Sequence, residues 1–77
     1  MPKAPPFERI QRQLGRRIRA ARIEAELTQE EAAGVAGIDY KRWQRLEAGK
    51  VNATVRTLAR AAQALNLTVW ELLGTQD

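Results

Sequence analysis

Helix-start signals recur at short intervals along this sequence, and they constrain its fold more than any other feature. Thr28 with Glu31, and Thr68 with Glu71, have the spacing of a capping box, in which the hydroxyl accepts from a first-turn amide and the carboxylate accepts from the threonine amide. Two further residues that favour helix N-caps precede segments with helical spacing: Asp39 and Thr54. These signals predict four short helices after residue 27.

A longer helix is predicted upstream, because apolar residues recur there on one stripe: Phe7, Ile10, Leu14, Ile18, Ala21 and Ala25. Arginines occupy the opposite face of this helix: Arg9, Arg12, Arg16 and Arg19. Gly15 interrupts the pattern, and glycine inside a helix costs about 1 kcal/mol relative to alanine. We therefore expect this helix to fray or to begin again near Leu14.

No segment alternates between apolar and polar residues as a strand does. The sequence therefore predicts an all-α fold, a compact five-helix orthogonal bundle over residues 7–74. Residues 1–6 hold all three prolines and are expected to form a flexible arm, and residues 75–77 are expected to form a C-terminal tail.

The amino-acid composition limits the classes of function that this chain could have. The 77 residues include no cysteine and no histidine, which excludes disulfides and removes the commonest metal ligand and general base, so we expect no enzyme activity, metal or cofactor. The net charge of +4 and the pI near 10.4 favour a polyanion as partner, nucleic acid first and an anionic membrane second, although such a charge also serves solubility alone. With no signal-like N-terminus and no segment of ~20 apolar residues, we expect a soluble cytoplasmic protein.

The second and third helices have the properties of a helix-turn-helix, which presents its second helix to the DNA major groove. Ala33 is small enough for close helix contact, and Gly37 suits a turn that requires a positive φ. The positions that face inward on both helices are apolar: Ala32, Ala36, Ile38, Trp43 and Leu46.

The stretch LTQEEAAGVAGIDYKRWQRLEAGK, residues 27–50, resembles the lambda-repressor-like (XRE/Cro-type) helix-turn-helix family. Its most specific matches are TQEE at the start of the second helix, Gly37 in the turn and LEAGK at the end of the third, and the similarity extends over residues 14–73. The resemblance implies a lambda repressor-like DNA-binding domain. It also implies a sequence-specific transcriptional regulator, a repressor or autoregulator, which places helix 39–48 in the major groove of a palindromic operator.

The resemblance further implies which side chains touch DNA. Base contacts in this family come from the start of the recognition helix and from one turn further along, and the matching positions are Tyr40, Lys41, Gln44 and Arg45. With Trp43 and Leu46 inward, a helical wheel turns the last three of these outward. Phosphate contacts are implied at the start of the second helix, beside the third and in the loop after it: Gln29, Arg42, Lys50, Asn52 and Thr54. For each residue the alternative is a solvated surface side chain.

A partly buried ion pair between Arg22 and Glu47 is also implied by the resemblance, and its role would be to hold the recognition helix at a fixed angle. The alternative is an exposed glutamate. The chain departs from the family at two positions. Ala32 stands where a larger aliphatic residue is usual, and Trp43 stands where valine or isoleucine is usual. We interpret the two as one compensated change, in which the indole fills the space left by small alanines.

One helix-turn-helix reads only a few base pairs, so we expect a homodimer on the operator. The last helix holds more apolar residues than so short a helix can bury, and the candidate dimer contacts are Val69, Trp70 and Leu73. The Phe7–Ile10 end of the first helix is a second candidate surface. No small-molecule ligand is expected. Two alternatives stay open: an antitoxin or restriction–modification controller that regulates its own operon, with a toxin or other protein as partner, and a protein-interaction adaptor that acts without DNA.

Overall fold

The computed structural model describes residues 7–74, which form five helices: α1 (Phe7–Glu24), α2 (Gln29–Ala36), α3 (Tyr40–Glu47), α4 (Val55–Ala64) and α5 (Val69–Leu73). Every regular element in this range is a helix, which confirms the predicted all-α, five-helix fold. The expected arm, residues 1–6, and the expected tail, residues 75–77, lie outside the described residues. No helix of the described range is long and apolar enough to cross a membrane.

Local hydrogen bonds set the helix starts, as the capping signals predict. The Thr28 hydroxyl accepts from the Glu31 amide at 3.0 Å, and the Glu31 carboxylate accepts from the Thr28 amide at 2.9 Å. Thr68 and Glu71 form the same pair of hydrogen bonds at 3.1 and 2.8 Å. Gly37 ends α2 in the left-handed conformation, with φ of 68°. Both capping boxes and the turn between α2 and α3 are therefore confirmed.

The core is one apolar cluster to which all five helices contribute. Trp43 of α3 is the largest of the fully buried side chains, and it shares the cluster with Ile18 of α1 and Leu72 of α5. The side chains from α2 are small, in agreement with a bulky indole filling the space beside them: Ala32, Ala33 and Ala36. α1 packs against α3 and α5, and α2 packs against α3 and α4. The inward face of α3 is thus fixed between α1 and α2.

Gly15 does not interrupt α1, which continues without a break through its 18 residues. The expected fraying or restart near Leu14 is therefore wrong. A Cβ at Gly15 would lie 2.5 Å from the carbonyl oxygen of Glu47 and 2.7 Å from that of Leu46. Since real side chains do not approach so closely, the glycine allows α1 to lie directly against the end of α3. Tertiary packing compensates for its low helix propensity.

Candidate nucleic-acid interface

The outer face of α3 carries the four predicted base-contact residues, all of them exposed: Tyr40, Lys41, Gln44 and Arg45. Asp39 starts the helix, because its carboxylate accepts from the amides of Lys41 and Arg42 at 3.1 and 3.4 Å. Trp43 and Leu46 are buried on the opposite face. The helix therefore has one apolar face in the core and one polar face available to a partner.

The polar face of α3 has two parts with different chemistry. The Gln44 side-chain nitrogen donates to the Tyr40 phenol oxygen at 3.2 Å, which joins an amide and a phenol on successive turns. Lys41 and Arg45 line a shallow depression together with Lys50 of the following loop. The face thus offers hydrogen-bonding groups on one side and three cations on the other.

Glu47, at the end of α3, accepts hydrogen bonds from three different helices. Arg22 of α1 donates from Nε to Oε2 at 2.6 Å and from Nη2 to Oε1 at 3.2 Å. Gln29 of α2 donates from Nε2 to Oε1 at 3.0 Å, and the Trp43 indole donates from Nε1 to Oε2 at 2.6 Å. We call these four residues the Glu47 network. It joins α1, α2 and α3 and so restrains the orientation of α3.

The charges of this network are largely shielded from water, since the Arg22 and Glu47 side chains are 12% and 4% exposed. Burial by itself raises the pKa of Glu47, but the hydrogen bonds from Arg22, Gln29 and Trp43 outweigh it and hold the pKa below its ordinary value. Glu47 is therefore ionised at neutral pH. Removing the arginine would leave a buried charge without its partner, which is strongly destabilising.

The residues predicted to contact phosphate come from the start of α2, from α3 and from the segment between α3 and α4. Gln29 begins α2, where its side-chain nitrogen already donates to Glu47. The Thr54 hydroxyl caps α4 by accepting from the Thr57 amide at 3.1 Å. At both places the free backbone amides of a first helical turn remain as donors. The other three side chains are exposed: Arg42, Lys50 and Asn52.

A sequence model of the helix-turn-helix domain matches residues 13–73, which is most of the chain. The chain belongs to the helix-turn-helix domain family. Its two characteristic helices are α2 and α3, and the predicted family membership is confirmed. Among curated proteins, none is significantly similar to the chain in sequence.

Solved structures with the same fold include several regulators. The clp gene regulator ClgR from Corynebacterium glutamicum is 25% identical over 83% of this chain and 68% of its own, with a TM-score of 0.79. The restriction-modification controller protein C.AhdI from Aeromonas hydrophila is 29% identical over 80% of this chain and 94% of its own, also with a TM-score of 0.79. A hypothetical transcription factor from Neisseria, NHTF, shares the fold at 23% identity and a TM-score of 0.81, over 95% of this chain and 84% of its own.

The family and these structural neighbours together identify this helix-turn-helix domain as a DNA-binding regulator. Neither ClgR nor C.AhdI is named as an enzyme. Within residues 7–74, no cluster of three or more acidic side chains has an arrangement that could hold a metal ion.

The helix-turn-helix domain also exposes large apolar side chains away from α3. Trp70 and Leu73 of α5 are 49% and 39% exposed, and Phe7 and Ile10 of α1 are 55% and 51% exposed. Ile10 and Leu73 line one small depression between α1 and α5. Val69, the third candidate dimer contact, is half-buried and packs against the core. The two surfaces suggested by the sequence therefore adjoin each other.

Sequence reasoning missed two members of the Glu47 network. It assigned Trp43 to packing alone and Gln29 to phosphate, although both donate to the same carboxylate. For Trp43 a signal exists, because residues four apart share one face of a helix. For Gln29 there is none in the spacing, since the bond joins two helices 18 residues apart.

Proposed function

We propose that this helix-turn-helix domain is a transcriptional regulator that binds double-stranded DNA sequence-specifically, with α3 in the major groove of a palindromic operator. The observation that carries the proposal is the outer face of α3, where four exposed polar side chains project from a helix whose opposite face is buried. The Glu47 network supports it, because side chains that read bases must project from a helix that is held rigidly in place.

Within this proposal, Lys41 and Arg45 read guanine, since a cation at the O6 and N7 acceptors is the commonest specific contact in the major groove. Tyr40 and Gln44 act together, because the Gln44 amide is oriented by the phenol. The phosphate contacts come from the free amides that begin α2 and α4 and from three exposed side chains: Arg42, Lys50 and Asn52. These contacts position the protein without selecting sequence.

The regulator acts as a homodimer under the same proposal. The adjoining apolar side chains supply a surface of the kind that marks protein interfaces: Phe7, Ile10, Trp70 and Leu73. Two copies related by a two-fold axis would read half-sites about one helical turn, ~34 Å, apart.

We place the DNA-binding domain at residues 7–74, with residues 1–6 as an arm and 75–77 as a tail, and the protein in the cytoplasm.

The test begins with selection of binding sites from a random DNA library by the wild-type protein, followed by titration against the selected site and against unrelated DNA. We expect a palindromic consensus and a specific complex at least ~10³-fold tighter than the nonspecific one. Arg45→Ala should weaken specific binding by about 1–3 kcal/mol and relax the preference at one base position in each half-site. Arg60→Ala is the matched control, because Arg60 is also an exposed arginine but lies on α4. Equal affinity for selected and unrelated DNA would refute the proposal.

A restriction–modification controller is the second candidate, and one observation favours it. The controller C.AhdI matches this chain over 94% of its own length. Such a protein would bind DNA upstream of its own gene, with restriction and methyltransferase genes adjacent. Inspection of the neighbouring genes, together with footprinting on the protein's own promoter, distinguishes it from other regulators. A toxin gene next door would favour the antitoxin role.

A further inference from the structure

We propose that three arginines of α1, Arg12, Arg16 and Arg19, form a separate contact to the DNA phosphate backbone. We call them the α1 arginine ridge. The inference rests on the proposed function and deepens it, because it adds a whole helix face to the DNA interface. None of the phosphate contacts that the family resemblance implies lies on α1.

The ridge lies beside the recognition helix and not on a remote surface. A Cβ at Gly49 would lie 2.7 Å from the Cα of Arg12, so Arg12 packs against the residue that follows Ala48, the C-cap of α3. Arg16 lies between Arg12 and Arg19 on the same helical stripe, four residues after the first and three before the second. Arg19 lines a groove between α1, α2 and α3, together with Gln29, Tyr40 and Gln44. The ridge therefore borders the face that carries the base-contact residues.

The three guanidinium groups are available to an external anion. All three side chains are exposed, and the salt bridge found among residues 7–74 joins Arg22 to Glu47 and involves none of them. Five exposed arginines lie on α1: Arg9, Arg12, Arg16, Arg17 and Arg19. Arg12, Arg16 and Arg19 follow one helical stripe, and Arg9 continues that stripe towards the start of the helix. An unpaired cluster of cations costs stability through mutual repulsion, and a bound polyanion relieves that repulsion.

Among the three arginines of the α1 arginine ridge, Arg19 is expected to contribute most, because of the charges that line the groove beside α2. The charged side chains that line this groove are Arg19, Arg22, Glu30 and Glu47. Arg22 and Glu47 neutralise each other, and the Gln29 nitrogen is occupied by Glu47. Without Arg19, the remaining uncompensated charge in the groove would be the Glu30 carboxylate, which would repel a phosphate at the start of α2. Arg19 offsets that carboxylate, so a phosphate can approach the amides of the first turn.

The dimensions of the ridge match a DNA strand. Residues 12 and 19 are seven positions apart on one helix, which corresponds to ~10 Å along its axis. One strand of B-DNA carries a phosphate every ~3.4 Å along the duplex axis, so the ridge covers about three phosphates. We therefore expect two to three phosphate contacts from each protomer.

The experiment compares two double variants that remove the same charge. Arg16→Gln with Arg19→Gln removes two ridge arginines. Arg17→Gln with Arg60→Gln removes two exposed arginines elsewhere, because Arg17 lies against Gly74 at the end of α5 and Arg60 is on α4. Binding of each protein to the selected operator and to unrelated DNA is measured between about 50 and 200 mM salt, and thermal unfolding is recorded for each protein.

Each phosphate contact contributes about 0.9 to the slope of log K against log salt concentration. The ridge variant should therefore lose about 1.8 units of slope per bound protomer, on operator and unrelated DNA alike, so the ratio between them stays constant. The control variant should change the slope by much less, and both should unfold near the wild-type temperature. Equal slopes in the ridge variant and the wild type, or equal losses in the two variants, would overturn the inference. Neither result touches the proposed function, which fails separately if the wild type does not prefer the operator.

Discussion

Substitution of Gly15 by alanine tests directly whether the recognition helix is positioned by a close contact with α1. The added methyl carbon would lie 2.5 Å from the Glu47 carbonyl oxygen and 2.7 Å from the Leu46 carbonyl oxygen. Both atoms belong to the backbone of α3, so no side-chain rotation can relieve the overlap. The end of α3 must move away from α1, and the Glu47 network must stretch with it.

The expected magnitude follows from two opposing effects. Alanine gains about 1 kcal/mol over glycine in a helix interior. Overpacking of a tight site costs about 1–3 kcal/mol, and a clash with fixed backbone belongs at the upper end of that range. We therefore expect Gly15→Ala to lower the free energy of unfolding by about 2 kcal/mol. In a domain of this size that corresponds to a fall in Tm of roughly 8–16 °C.

Gly34→Ala is the matched control. Gly34 is also inside a helix, but it is exposed and a Cβ there would meet nothing within 4 Å. Only the propensity effect remains, so this variant should gain about 0.5–1 kcal/mol. Urea unfolding followed by circular dichroism gives both values, and operator binding should weaken in Gly15→Ala alone. A Gly15→Ala protein as stable as Gly34→Ala would show that the contact between α1 and α3 is not tight, and would refute the reasoning.

Three further predictions concern the core, the network and the dimer. Trp43→Ala removes the largest fully buried side chain, at a cost of about 3–5 kcal/mol, and should unfold the whole domain as seen by circular dichroism; a folded variant that lost only DNA affinity would contradict this. Because the folded-state pKa of Glu47 lies below its ordinary value of 4.5, its stabilisation is complete above that pH and is lost as the pH falls through the folded-state pKa. Thermal unfolding from pH 7 to pH 3 should therefore show a smaller acid-induced loss in Glu47→Gln than in the wild type, and parallel curves would exclude Glu47 as the cause. Trp70→Ser should shift the sedimentation equilibrium towards monomer. Val55→Ser should not, although Val55 of α4 is more exposed than Trp70. A dimer that is unchanged by Trp70→Ser would place the interface elsewhere.

Much of the candidate site could be predicted from the sequence because it lies on one helix. The 3.6-residue period separates Trp43 and Leu46 from Lys41, Gln44 and Arg45, and the structure shows the same division. Which of the outward side chains touches a base stays a prediction, since contact depends on the DNA. The pairing of Arg22 with Glu47 was implied only by the family resemblance.

Residues far apart in the sequence form the features that spacing did not predict. The Arg22–Glu47 pair joins positions 25 apart, and the bond from Gln29 to Glu47 joins positions 18 apart. Neither separation in sequence specifies a distance in space, because the chain turns between the helices that carry the two residues. The effect of Gly15 was predicted wrongly for the same reason. Helix propensity is a local property, whereas Gly15 is required because the backbone of α3 approaches α1 at this position.

Local sequence patterns were enough to predict where each helix starts and which face of α3 is buried, and the sequence also predicted the family of the chain. Helix starts and buried faces are predictable because capping, helical period and turn chemistry depend on atoms within about four residues of each other. The three-dimensional structure was needed to show how closely α1 approaches α3 and which donors share the Glu47 carboxylate. It was also needed to show that Arg12 and Arg19 lie beside α3. Those relations depend on helix packing, which is set by the whole core at once.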